Sequence, residues 1–565
     1  MGSIFLAACS SADAGREAVR EMAATTPARG EAQIVEEGRI CVGFQRFADE
    51  LLYGERGDLI CVLSGTLAWS EISPESLKGG DGDVQSLLEA WSSLDIECLR
   101  YLRQPFCALF ANRQTGRVVL ANHFSGVKPL YYRVNADEVL IASEVRQIAR
   151  AMKARPRLAA GADYDWLGLK GSSSGTVVDG INALVPGQAV SIDALRHRIE
   201  TTRSPSFPES PDTTNVRSRS GAVDYGRLGQ EVMHRFRRSV QSATAGRTVS
   251  AALSSGRDST LAVAVAASLS REGQCAFHEA VTLGAKGTDS DESIVATRTA
   301  RELGVPHQVF AIHSEACSDV SKSVHLMLDE PSASGFMWQR LVLNRVRETS
   351  SHFLLCGELG DFLFGFYTQH LLSGSWSQRL QRWPRLLKEL TRRNVPLKRR
   401  ALWGLAGALP FDRLLEFDSA RNLRVVDQLR SLRERAEIPA VIRSTTDRAH
   451  LRMHDQLSGA HAVERLFPYA DTDLWIYLAG FSRADLCFRG QDRYLQDLLL
   501  AHFLDGRSVS SLGKVALPGL DDPIHAKARI SLDNFVFQAQ ECRLRNTEPG
   551  CAGFSSEPAN GAPCA

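Results

Sequence analysis

The sequence predicts an α/β protein of two domains. Three observations carry that expectation. The chain has 565 residues, more than one hydrophobic core usually serves. Its pattern changes near residue 222, from short apolar runs and turns to strand–helix alternation, the signature of a parallel sheet with crossover helices. Between the two lies RSPSFPESPDTTNVRSRSG (203–221), rich in Pro, Ser and charge, which reads as a boundary. The expected division is a first domain over 1–202, a linker over 203–221, a second domain over 222–545 and a disordered tail over 546–565. The tail, NTEPGCAGFSSEPANGAPCA, has too few apolar residues to pack.

Composition narrows the class. Hydrophobic residues make up 44% and charged residues 23%, ordinary values for a globular protein. A net charge of +1 supplies no global field for nucleic acid. No uninterrupted apolar run is long enough to span a bilayer. The start, MGSIFLAACSSADAG, lacks a basic n-region and has too short an apolar run for a secretory signal, so a cytoplasmic location is expected. The 12 cysteines are scattered, without a CxxC pair or a Cys/His cluster, and read as reduced thiols.

Along the chain, DLICVLSGTLAW (58–69) and GRVVLANHF (116–124) read as strands of the first domain. DYGRLGQEVMHRFRRSVQSA (224–243) has helical spacing. A strand over 248–253 runs into the loop Ser254-Ser255-Gly256-Arg257-Asp258-Ser259 and then a small-residue helix. FHEAVTL is the next strand, and DESIVATRTARELG a helix ending at Gly304. HFLLCGELGDFLFGFY (352–367) repeats the strand–loop–helix order.

A loop of small residues between a strand and a helix offers free backbone N–H groups at a positive dipole end, a ready phosphate site. Ser254, Ser255, Gly256 and Ser259 keep the backbone approachable and add hydroxyls. Asp258 is out of place beside phosphate unless it holds Mg²⁺. No GxxxxGK[ST] occurs, so this is no Walker loop. Alone, the loop also fits an ordinary strand–helix turn with a capping Asp. The second loop weighs against that. It places Gly357, Glu358, Gly360 and Asp361 after an apolar strand. Two acidic loops at the carboxyl ends of parallel strands face one crevice, where such sheets bind ligands. Asp258 and Asp361 then share a metal–pyrophosphate site, with Glu358 beside them as an acid/base or orienting group.

These segments resemble the asparagine synthetase family. SSGRDS is similar to its SGGxDS pyrophosphate loop, and CGELGDFLFGFY to its GEGxDExFxGY segment. SGVKPLYYRVNADEVLIASEV (125–145) resembles the GxKPLYY…ASE signature of the glutamine amidotransferase half, and LVPGQ its PG turn. DSDESIVATRTARELGVPH resembles the helix between the loops, and AVERLFPYADTDLW (462–475) the ExRxPFLDxxL stretch. The matches run in family order over roughly residues 40–535. The resemblance implies an Ntn-type αββα amidotransferase-like domain followed by a parallel-sheet PP-loop adenylating domain with a helical C-terminal part.

It also implies a chemistry. ATP adenylates a carboxylate, pyrophosphate leaves, and an amine attacks the acyl-adenylate to form an amide. Mg²⁺ and backbone N–H groups stabilise charge on the departing pyrophosphate. By position, Ser254, Ser255, Gly256, Asp258, Ser259 and Gly357 bind the nucleotide phosphates, Asp258 and Asp361 hold Mg²⁺, and Val281 and Thr282 sit where the family's next strand meets adenine. Glu358 is a catalytic candidate. The family's late lysine falls on Lys527, in DDPIHAKARIS, with Lys514 as the alternative; either also reads as a surface lysine.

The departures are as informative. Glutamine-using members expose a terminal cysteine as nucleophile; this chain begins Met1-Gly2-Ser3, and Cys9 is internal. The family's NGE segment appears as Ser64-Gly65-Thr66, and its Arg-Asp as Asn122-His123. The first domain is therefore expected to lack glutaminase activity, and the amine to come from the substrate. Two branches of the family have lost this cysteine, the β-lactam synthetases and the lasso peptide cyclases. The divergent loops resemble the latter, which implies a precursor peptide as substrate and a leader protease as partner. The segment 377–400, with nine Lys/Arg and one acidic residue, fits an acidic peptide or a membrane surface, and equally a solvated helix face. Ser255 in place of a glycine and Phe362 in place of an acid leave room for an inactive peptide-binding scaffold. An asparagine synthetase or β-lactam synthetase type of ligase on a small molecule is the remaining alternative.

Overall fold

The computed structural model describes residues 2–157, 178–203, 213–284, 291–311, 336–364, 445–486 and 493–512, with short breaks at 38, 47–50, 78–81, 219–220, 350 and 482, and isolated positions besides. Lys514, Lys527, most of segment 377–400 and the tail 546–565 lie outside the described residues.

In chain order the first domain contributes β1 (Ser3–Cys9), α1 (Ala12–Ala24), β2 (Ala32–Glu37), β3 (Ile40–Gln45), β4 (Leu51–Arg56), β5 (Leu59–Gly65) and α2 (Val84–Leu94). It continues with β6 (Phe106–Asn112), β7 (Arg117–Asn122), β8 (Tyr131–Val134), β9 (Glu138–Ala142), α3 (Val145–Ala151), β10 (Asn182–Ala183), β11 (Ala189–Asp193) and β12 (Arg198–Arg203). Two six-stranded sheets result, ordered β10-β8-β9-β1-β3-β2 and β12-β11-β7-β6-β5-β4, with antiparallel pairings throughout.

Strand alternation explains the layers. On β1, Ile4, Leu6 and Ala8 join Ile60, Val62, Leu109 and Leu120 of the other sheet in one core. The intervening Phe5 and Ala7 face Val19 and Met22 of α1 and Ile148 of α3. On the far side, Cys61, Leu63 and Phe110 pack on Leu87, Leu88 and Trp91 of α2. The expected αββα sandwich is present.

The second domain begins with α4 (Tyr225–Thr244), capped by the Asp224 side chain. Then come β13 (Thr248–Ala252), α5 (Arg257–Arg271), β14 (Ala276–Gly284), α6 (Ser293–Leu303), β15 (His307–Ala311), α7 (Phe336–Glu348), β16 (Phe353–Leu355) and α8 (Gly360–Phe364). It closes with α9 (Thr445–Ala460), β17 (Glu464–Leu466), α10 (Thr472–Ala479) and α11 (Tyr494–Leu500). α6 stops at Gly304, whose φ of 66° is the left-handed cap that glycine favours.

The sheet is parallel and ordered β15-β14-β13-β16-β17. The chain leaves β13 toward β14 on one side and later returns to β16 on the other. The carboxyl ends of β13 and β16 therefore flank a topological switch point, the place where open α/β sheets form a ligand crevice. α5, which starts there, is buried from Ser259 to Ala267; its Ala/Val composition suits a helix packed on all sides. Within the expected linker, Thr214–Val216 forms a short 3-10 turn, and Val216 is buried in the second domain's core.

Candidate functional site

The switch point brings the two sequence-predicted loops together. The first runs from Leu253 to Gly256, the extended residue that precedes α5. Its serines tie it into a compact turn. Ser259 Oγ accepts from the Ser254 N–H at 3.0 Å, the Ser254 and Ser259 hydroxyls lie 2.7 Å apart, and Ser254 Oγ accepts from the Gly256 N–H at 3.0 Å. Thr260 Oγ1 donates to the Gly256 carbonyl at 2.8 Å. Ser255 is buried and donates to Glu292 Oε1 at 3.0 Å, so its side chain packs against the start of α6.

The second loop presses onto the first. A Cβ on Gly357 would stand 2.5 Å from the backbone nitrogen of Ser259, and a Cβ on Gly360 would overlap the Asp258 carboxylate. Only glycine permits both approaches. Between them Leu359 takes a φ of 73°, a left-handed conformation that is costly for a branched side chain. This bend starts α8 so that Asp361 lies in its first turn.

Asp258 and Asp361 converge on one group that the sequence reading missed. Arg493 Nη1 donates to Asp258 Oδ2 at 3.1 Å, and its Nη2 pairs with Asp361 Oδ1. Gln496 Nε2 donates to the other Asp258 oxygen at 2.7 Å. Arg257 pairs with Asp497, and its Nη1 donates to the Leu512 carbonyl at 2.9 Å. Arg493, Gln496 and Asp497 thus brace the first loop from the start of α11. Their only sequence signal is polar residues at i, i+3 and i+4 beside the Leu-rich run of QDRYLQDLLL. Tyr469 completes the bracing by donating to the Asp258 carbonyl at 2.7 Å; burial pushes its hydroxyl pKa well up.

Glu358 is about one-third exposed, and its Oε1 lies 3.4 Å from Nε2 of the fully buried His454 on α9. Val281 and Thr282 are both buried. Val281 packs with Val342, Leu343 and Leu354, and Thr282 Oγ1 donates to the Leu253 carbonyl at 2.6 Å and meets His307 Nε2 at 2.8 Å. Their side chains are therefore committed to the sheet. Phe362 packs against the second domain's core, which accounts for an aromatic residue where the family has an acid.

The donor chemistry of the Asp258–Asp361 pair suits Mg²⁺, although one oxygen of each is held by Arg493. Among the described residues no group of three or more His, Cys, Asp or Glu forms a metal cage. Two carboxylates alone suit a cation that completes its shell with water and phosphate oxygens.

In the first domain Cys9 is buried, and burial raises its thiol pKa. His123 is buried as well, with Nδ1 2.8 Å from Ser125 Oγ and Nε2 2.9 Å from Thr472 Oγ1 of α10. Thr66 Oγ1 accepts from Arg247 Nη1 at 3.1 Å. Two of the positions that depart from the glutaminase pattern, Thr66 and His123, thus make contacts to the second domain, whereas Ser64 donates to the Gly2 carbonyl and Asn122 to the Leu184 carbonyl within the first. Further buried links join the two halves. Lys128 pairs with Glu464, Arg103 Nε donates to Asp471 at 2.8 Å, and Arg29 bridges Glu144 at 2.7 Å and Asp455 at 3.3 Å.

Two family models agree with this architecture. Residues 231–510 match the asparagine synthase family model, and residues 72–202 match the glutamine amidotransferase domain model. The chain belongs to the asparagine synthetase family. A curated relative, amidase chry2 of Gibberella zeae, is 22% identical over 370 residues, 61% of this chain and 52% of that protein; the chain spans about half the length of the curated relative it matches. Among solved structures, the U34-tRNA thiolase NcsA of Methanococcus maripaludis is 13% identical, covering 60% of this chain and 83% of that one at a TM-score of 0.25. The glutamine phosphoribosylpyrophosphate amidotransferase of B. subtilis is 11% identical, covering 54% and 65% at a TM-score of 0.23. Likenesses this loose do not reach the arrangement of the site.

Proposed function

We propose that the chain is an ATP-dependent amide-bond ligase that activates a side-chain carboxylate and joins it to an amine of the same substrate, closing a macrolactam in a precursor peptide. The observation that supports it best is the convergence, at one switch point, of the SSGRDS loop with Glu358 and Asp361. ATP supplies an adenylate leaving group, and Mg²⁺ neutralises the departing pyrophosphate.

The chain's own residues divide the remaining work. The Ser254–Ser259 turn and the start of α5 cradle phosphate through backbone N–H groups and hydroxyls. Asp258 and Asp361 hold the cation. Val281 and Thr282 mark the adenine side of the pocket at the end of β14, where their side chains are occupied and the Val281 carbonyl accepts from the Leu253 N–H at 2.9 Å. The substrate carboxylate attacks the α-phosphorus, and the bond to pyrophosphate breaks. The substrate amine then attacks the acyl carbon, AMP leaves, and Glu358 takes the amine proton, held in place by His454. Lys527, or Lys514, offsets charge developing on the phosphate. A peptide acceptor is supported by the departures from the glutaminase pattern at Ser64-Gly65-Thr66 and Asn122-His123. A leader protease is the partner this reading calls for. No described helix is long and apolar enough to cross a membrane.

Amide chemistry on a small molecule is a second reading; the fungal relative's name, amidase, speaks for amide chemistry alone. One assay separates the two. AMP and pyrophosphate release is measured with candidate precursor peptide, with aspartate plus ammonia, and with no acceptor. Peptide-dependent release with a product lighter by one water supports the macrolactam. Release only with aspartate and ammonia replaces it with the small-molecule reading, and no turnover or ATP binding in any arm favours the scaffold.

A further inference from the structure

We propose that Arg493 is a displaceable counter-cation of the Asp258–Asp361 pair, and that a divalent cation takes the pair only when the guanidinium withdraws. The inference rests on the ligase reading for the identity of the arriving cation, Mg²⁺ with its nucleotide.

The geometry makes the two cations mutually exclusive. Arg493 donates to Asp258 Oδ2 and pairs with Asp361 Oδ1, so one guanidinium takes an oxygen of each carboxylate. The remaining Asp258 oxygen is taken by Gln496. Asp258 has no room to retreat, because Gly360 lies against its carboxylate so closely that a single added carbon would overlap it. The movable member is the long arginine side chain, which enters from Arg493 at the start of α11, where the backbone takes a left-handed φ of 60°.

Charge favours the exchange. Arg493 brings one positive charge to two carboxylates, whereas a divalent cation brings two. A guanidinium is most strongly held when both nitrogens grip one carboxylate; here it is stretched between two. Mg²⁺ prefers carboxylate and phosphate oxygens with retained water, and so gains most when nucleotide arrives with it. Until then Arg493 offsets one of the pair's two charges and keeps the loops in register. Arg493 is thus a positioning residue that also sets the order of binding.

Mn²⁺ is the probe, since its paramagnetic signal from free ion falls on binding. It is titrated into full-length wild type, Arg493→Gln and Arg493→Lys without nucleotide or acceptor, with thermal melting alongside. If the guanidinium holds the pair most of the time, its removal tightens Mn²⁺ binding by about tenfold. Arg493→Lys, a single point charge, falls between. The double variant Arg493→Gln/Asp361→Asn loses the gain. Equal Mn²⁺ affinity in wild type and Arg493→Gln overturns the proposal, as does a gain that survives loss of Asp361. If Arg493→Gln does not fold, an unchanged affinity in Arg493→Lys overturns it equally. The result is separable from the ligase reading. Tightening without AMP formation under any acceptor keeps this inference and removes the ligase; AMP formation with unchanged Mn²⁺ affinity does the reverse.

Discussion

At the scale of single residues, burial decides what each polar group does. Glu358 is about one-third exposed with His454 3.4 Å from its Oε1, and the proposed function gives it the role of a base that must be both oriented and reachable. Replacing Glu358 by Gln keeps the shape and removes the proton acceptor. Amide formation is expected to fall by about 10²- to 10⁴-fold while nucleotide binding, read by calorimetry, stays near wild type. His123 illustrates the opposite case. Burial pulls its imidazole down to about 3, whereas in the unfolded chain it titrates near 6.5. Between those values the unfolded chain binds a proton that the folded chain refuses, so stability is full above about 6.5 and falls as pH drops. The expected slope is about 1 kcal/mol per pH unit. Urea unfolding at pH 7 and pH 5 is expected to show a smaller loss for His123→Asn than for wild type; equal losses contradict the assignment.

At the scale of elements, the strand–loop–helix units were legible because their signals are local. Asp224 caps α4, Gly304 ends α6, and the Ala/Val run of α5 announces a helix buried on every side. The two loops were legible because glycine and acid recur after apolar strands. Arg493 and Gln496 were not, because their partners are 235 and 238 residues away and no local period marks such a pairing. Nor was the way Ser255 is accommodated, which depends on Glu292 being brought alongside by the next unit. Contact between loops also has a testable consequence. In Gly357→Ala the new carbon would stand 2.5 Å from Ser259 nitrogen, so one loop must shift. Overpacking of this kind costs about 1–3 kcal/mol. Denaturant midpoints are expected to drop accordingly, with weaker ATP binding; a variant that binds ATP as wild type does would show that the contact is not needed.

At the scale of the whole molecule, two halves share buried charge. Lys128 belongs to the GVKPLYY stretch and Glu464 to AVERLFPYADTDLW, and the two segments that carried the family resemblance meet as an ion pair less than a tenth exposed on either side. Such motifs look like site residues in sequence; in the fold they fasten the first domain to the strand and helix beside the crevice. Breaking one partner leaves a buried charge, so Lys128→Met is expected to cost about 3–5 kcal/mol, while Lys128→Met with Glu464→Leu recovers most of it. Denaturation of the single and double variants checks this; a single variant as stable as wild type contradicts it.

The central claim is that the crevice between β13 and β16 adenylates a carboxylate. It is tested most directly by following oxygen. The acceptor peptide is prepared with oxygen-18 in its side-chain carboxyl, turned over with ATP, and the AMP analysed by mass spectrometry. Adenylation followed by amine attack leaves one carboxylate oxygen on the phosphorus, so the account predicts AMP carrying a single heavy oxygen, with none in pyrophosphate. Unlabelled AMP, or heavy oxygen in inorganic phosphate beside ADP, would contradict it.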